Sequence, residues 1–217
     1  MADNAVRYGV RFVRSRYGGG NADIQEAWVA TAASFDVNAG AQNVVLGEGD
    51  LLVQLSDGSV TLAVGAEGAD SATILGVVSG IKQYYDTARG VMTAMGPGVP
   101  SDLAWGTNLA RQTRVYYTPI ESAVWAIQCD DASTATTEAA YNAFIGENCR
   151  FVNTGIVGDN RARPKLDIST HATTNTFPFK IVGLGQTAQN QDYSGANVEL
   201  LVISNGTIAS RNAILGI

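Results

Sequence analysis

A chain of 217 residues is long enough to bury a real core, as one domain or as two small ones. Charged residues make up only 16% and glycines number 24, which reads as a β-rich, turn-rich protein with a quiet surface suited to packing against neighbours. One histidine excludes multi-histidine metal sites, and two cysteines exclude a disulfide framework.

The opening "MADNAV" has no basic region followed by an apolar run, and no segment is long and apolar enough to span a bilayer. Synthesis and work in the cytoplasm, or in something assembled there, is the expectation. Residues 5–13 alternate: Val6, Tyr8, Val10 and Phe12 fall on one face, Arg7, Gly9 and Arg11 on the other. A period of two is a strand with one apolar face. With Arg14 and Arg16 this makes a basic segment on an acidic chain of net charge −6. "YGGGN" at 17–21 follows, and three glycines in a row predict a hinge or linker.

Residues 23–35 fit either a short helix or an extended segment. Then "LLVQLSDGSVTLAV" shows two apolar runs, 51–55 and 60–64, around Asp57-Gly58, the pair that supplies a tight hairpin turn. "TILGVVSGI" reads as a third short strand. Short strands with glycine-rich turns predict a small barrel or sandwich. In residues 81–104, Pro97 and Pro100 with Gly96 and Gly98 predict a long loop.

"RVYYTPIESAVWAIQCDD" reads as strand, turn, strand, and "TTEAAYNAFIGEN" as a short helix with Thr near its start and Gly146 near its end. "CRFVNTGIV", "KLDIST", "PFKIVGL" and "NVELLVIS" complete the strands, the last mostly buried on both faces. The expected fold is mainly β: small barrel or sandwich subdomains with short helices and an extended N-terminal arm. The expected division is an arm and hinge at 1–20, a small β subdomain at 21–80 and a larger β-rich domain at 81–217.

Motifs for chemistry are sparse. No Walker A, G-x-G-x-x-G at a strand–helix junction, G-x-S-x-G or EF-hand pattern occurs. His171 reads as a loop histidine, Asp130-Asp131 as a solvated turn and the cysteines as free, partly buried thiols. Beyond residue 20 the chain holds ten basic residues against nineteen acidic ones, so no basic face for nucleic acid is expected. Arg161, Arg163 and Lys165 read as a solvated loop or an ion-pairing point to a partner. No catalytic residue, metal or cofactor is expected.

The segment 46–81 resembles a pattern in head decoration, or cement, proteins of tailed bacteriophages. Gly49-Asp50 stands at the opening of a strand, Asp57-Gly58 at a hairpin, Ala63 in an alanine-bearing strand and Gly76-Val77-Val78 in the next strand. "RVYYTPIESAVWAIQCDD" is similar to a second phage-particle pattern, and the similarity extends over about 46–205. The resemblance implies a non-enzymatic virion protein on the outside of a capsid, assembled in the host cytoplasm, which bridges major capsid protein subunits and stabilises the shell. It also implies a homo-oligomer, trimer or dimer, with neither nucleic acid nor membrane as partner.

Many such proteins attach through an extended N-terminal arm, and the resemblance implies one here. Val6, Tyr8, Val10 and Phe12 would fill alternate pockets of a sheet edge on the shell, while Arg7, Arg11, Arg14 and Arg16 pair with carboxylates there. The same residues also fit an internal strand of this chain. Alternatives to decoration are a tail tube or head fibre base, and a carbohydrate-binding β-sandwich that uses Trp28, Trp105 or Trp125.

Overall fold

A computed structural model describes residues 9–16, 23–29, 47–55, 58–63, 74–86, 91–93, 114–130, 135–153, 163–174, 176–185, 193 and 197–205. These residues are mainly β and form two antiparallel sheets. In chain order the strands are β1 (Val10–Ser15), β2 (Gln25–Trp28), β3 (Leu51–Gln54), β4 (Val60–Leu62), β5 (Ile74–Asp86), β6 (Val91–Thr93), β7 (Arg114–Pro119) and β8 (Ala123–Gln128). A six-residue helix, α1 (Glu138–Ala143), precedes β9 (Asn148–Asn153), β10 (Pro164–Ala172), β11 (Phe179–Leu184) and β12 (Glu199–Ser204).

The first sheet runs in the order β1-β8-β12-β11-β9-β10. It curls until its last strand returns to β8 at one parallel bridge, Cys129–Leu166, where the Asp130 N–H donates to the Leu166 carbonyl at 3.0 Å. The second sheet runs β2-β7-β5-β3-β4, with β6 paired to the end of β5. It too curls, and β2 meets β4 at a single parallel bridge, Val29–Val60.

One apolar core joins the sheets. Leu51, Ile74 and Val77 of the second sheet belong to the same buried cluster as Trp125, Ile127, Phe179 and Leu200 of the first. Strand alternation sends Leu52 to the opposite face from Leu51. There it stands across from Leu62, and both are buried. The second sheet is therefore apolar on both faces along β3.

Several local expectations match the chain. Gly58, at φ +82°, turns the β3–β4 hairpin, and the Leu55 N–H reaches the Ser59 carbonyl at 2.8 Å. Asp57 lies outside the described residues. "PIES" forms a single 3-10 turn, Ile120–Ser122, between β7 and β8. Thr137 caps α1, its hydroxyl accepting the Ala140 N–H, and Gly146 follows at φ +99°.

Other expectations are corrected. Within 23–35, which fitted either a helix or an extended segment, residues 25–28 are a strand, and residues 30–35 lie outside the described residues. β5 does not stop at residue 81 but runs 13 residues to Asp86 and pairs antiparallel with β6, because β7 and β6 extend its ladder. The long loop therefore does not begin at 81, and Pro97 and Pro100 lie outside the described residues. The boundary expected at 80/81 falls inside β5. β7, from the C-terminal segment, fills the second sheet between β2 and β5, so the sheets interleave along the sequence.

Candidate functional site

The N-terminal strand is the first place to seek function. Of the residues expected to form a capsid-binding arm, Val6, Arg7 and Tyr8 lie outside the described residues, as does the glycine hinge at 17–21. Val10, Arg11, Phe12 and Arg14 sit in β1, which pairs antiparallel with β8 of the same chain. The period of two is real and its apolar face points inward. Val10 is buried, and Phe12 packs edge-on against Trp125 with ring centroids 6.0 Å apart.

An arm lent to a foreign sheet is therefore corrected for residues 10–15: their apolar side completes this chain's own core. The outer edge of β1 is also blunted. The Val10 N–H already donates to the Gly49 carbonyl at 2.8 Å, and the register slips between Phe12 and Arg14. A bulge and flanking charges are devices that discourage strand addition. What β1 presents to solvent is side chains. Arg14 and Arg16 are exposed, Val13 is exposed between them and Phe12, and Arg11 donates to Glu199 on β12 at 2.9 Å.

Behind β1 lies the junction of the two sheets, built by Gly49 and Asp50. Gly49 has φ +88°; its N–H donates to the Val78 carbonyl of β5 at 2.9 Å while its carbonyl receives the Val10 N–H of β1. Gly9 crosses so near that a side-chain carbon there would lie 2.8 Å from the Gly49 oxygen. The buried Asp50 carboxylate accepts the Gly47 N–H at 2.8 Å and the Arg163 N–H, at the start of β10, at 3.1 Å. A second tie runs from the Asn153 amide to the Ala63 carbonyl at 2.7 Å.

A cavity of about 350 Å³ opens where β2 and the β3–β4 hairpin part beside the Val29–Val60 bridge. Glu26, Ala27, Trp28, Gln54, Gly58, Val60, Leu75, Arg114 and Tyr117 line it. Glu26 accepts from Lys82 and from Arg114, each at 2.6 Å. Those two cations, Lys82 foremost, hold the Glu26 carboxyl below its usual range. The Tyr117 hydroxyl donates to Gln25 at 2.7 Å, and burial pushes its pKa up. No sequence pattern marks this cluster, because Lys82 and Arg114 stand 56 and 88 residues from Glu26.

The remaining candidates are held in structural contacts. His171 Nδ1 lies 2.5 Å from Glu147 Oε2, and its ring centroid is 4.3 Å from that of Phe144. Asp130 accepts the Ile168 N–H at 3.3 Å, and Asp131 lies outside the described residues. Cys129 and Cys149 are buried and not joined in a disulfide, and burial pushes the Cys149 thiol far above its ordinary pKa. Lys165 is not in a solvated loop; it is buried in β10, where its amine donates to the Asn197 side chain. Arg161 lies outside the described residues. Trp125 is core, with its indole N–H on the Ile120 carbonyl at 2.7 Å, and Trp105 lies outside the described residues. Among the described residues no group of three or more His, Cys, Asp or Glu could hold a metal ion, and no helix is long and apolar enough to cross a membrane.

No family model, curated protein or solved structure matches this chain.

Proposed function

We propose that this chain is a non-enzymatic structural protein of a tailed-phage virion. It sits on the outside of the capsid, after assembly in the host cytoplasm, and stabilises the shell by bridging major capsid protein subunits as a dimer or trimer of itself. The observation that carries the reading is the decoration-like pattern in 46–81. Its residues have structural reasons for their identity: Gly49 and Asp50 join the sheets, Gly58 turns the hairpin at positive φ, and Gly76 lies where a side-chain carbon would be 2.4 Å from the Thr118 carbonyl oxygen.

Attachment through β1 takes a different form from a lent strand. Arg14 and Arg16, at exposed positions, lie at one end of an edge strand whose apolar side is already covered. They are the groups offered to carboxylates on the capsid subunits. A rigid edge strand presents them at fixed spacing, with less ordering cost on binding than a free arm.

The test is shell stability. Expanded capsids lacking this protein are heated with and without it, and disruption is followed by light scattering. The proposal expects a higher disruption temperature that saturates with added protein. An unchanged temperature at all concentrations overturns it.

A further inference from the structure

We propose that the cavity between β2 and the β3–β4 hairpin binds a neutral saccharide. This inference concerns the second sheet and does not depend on what β1 contacts. A cavity of about 350 Å³ is within the range of small-ligand pockets, which favour curled sheet mouths and combine apolar walls with a few convergent polar groups.

The wall chemistry selects the ligand. Trp28 and Tyr117 line it from opposite faces of the β2–β7 ladder, and Val60 and Leu75 add aliphatic surface. Glu26, Arg114 and Gln54 also line the cavity, and they carry a carboxylate acceptor, a guanidinium donor and an amide that is both. A pyranose ring has the matching two-sided character: faces of C–H groups for an aromatic surface, and a rim of hydroxyls that each donate and accept.

Other ligand classes fit less well. A purely apolar ligand would strip water from the Glu26–Arg114 pair without replacing its hydrogen bonds. An anion meets the Glu26 carboxylate, and a cation meets Arg114 with Lys82 close behind. A neutral polyhydroxyl ligand avoids both repulsions. The polar wall is also set in advance: two cations fix Glu26 from different strands, which lowers the ordering cost of binding.

The test uses the full chain with four probes, the methyl glycosides of glucose, galactose, mannose and N-acetylglucosamine. Binding is read by saturation-transfer NMR and by tryptophan fluorescence. At least one glycoside is expected to bind saturably. Trp28→Ala is expected to abolish that binding, and Gln54→Ala, at an exposed position that leaves the core intact, to weaken it about fivefold, the loss of roughly one hydrogen bond. The proposal is overturned if none of the four binds saturably, or if affinity in both variants stays within twofold of the unsubstituted chain.

Discussion

The main-chain N–H of Arg163 donates to the buried carboxylate of Asp50 at 3.1 Å, across 113 residues of sequence. This bond ties the first residue before β10 to the residue that opens β3, and so ties one sheet to the other. The same carboxylate holds the Gly47 N–H, and the Asp50 carbonyl accepts the Val78 N–H at 2.9 Å. A short polar residue at this position organises three segments at once.

Asp50→Ala leaves the Gly47 and Arg163 N–H groups without their acceptor. Each such loss costs about 1–3 kcal/mol when buried. The expected destabilisation is about 3 kcal/mol, measured as a lower denaturant midpoint. A midpoint equal to that of the unsubstituted chain contradicts the junction role.

Two glycines separate space from backbone conformation. At Gly76 a side-chain carbon would lie 2.4 Å from the Thr118 oxygen and 2.5 Å from the Tyr117 ring, so Gly76→Ala must push β5 from β7. At Gly58 nothing lies within 4 Å, and the only penalty is φ +82°. Gly58→Ala is expected to cost about 1–2 kcal/mol and Gly76→Ala distinctly more, by thermal unfolding of the pair. The reverse order contradicts the close β5–β7 approach.

Cys129 and Cys149 should resist modification in the folded chain. Both are buried, and at pH 8 the desolvated Cys149 thiol keeps its proton, so little thiolate exists to react. A chromogenic disulfide reagent should label neither cysteine in buffer and both in denaturant. Rapid native labelling contradicts the packing of β8 and β9.

Glu26 gives a pH dependence with a defined sign. Its folded pKa is depressed by Lys82 and Arg114, so its contribution to stability is present above the ordinary carboxylate pKa. That contribution is lost as pH falls through the depressed value. The stability difference between the unsubstituted chain and Glu26→Gln should be level at neutral pH, shrink in acid and diminish with added salt. A difference that grows in acid contradicts the ion-pair geometry.

The local features of this chain were legible in its sequence, and the long-range ones were not. The alternation of Val10, Arg11 and Phe12 identified a strand and its buried face. Period two, however, names a face and not a partner, so the pairing of β1 with β8 stayed open. Asp57-Gly58 marked the hairpin and Thr137 the start of α1, because turns and caps act within a few residues. The length of β5 is not legible, since its second half is held by β6 and β7 rather than by its own pattern. Asp50 stood out in the sequence, but its bond to Arg163 depends on the complete fold. The Glu26, Lys82 and Arg114 cluster is a product of topology alone, assembled from β2, β5 and β7.

Capsid binding is the central claim, and sedimentation measures it directly. Purified chain is mixed with expanded capsids that lack it, pelleted, and the bound copies are counted per shell. The proposal predicts saturable binding at a fixed copy number, with Arg14→Glu/Arg16→Glu binding at least tenfold more weakly while still folded. Chain that remains in the supernatant at every concentration, with capsids intact in the pellet, contradicts it.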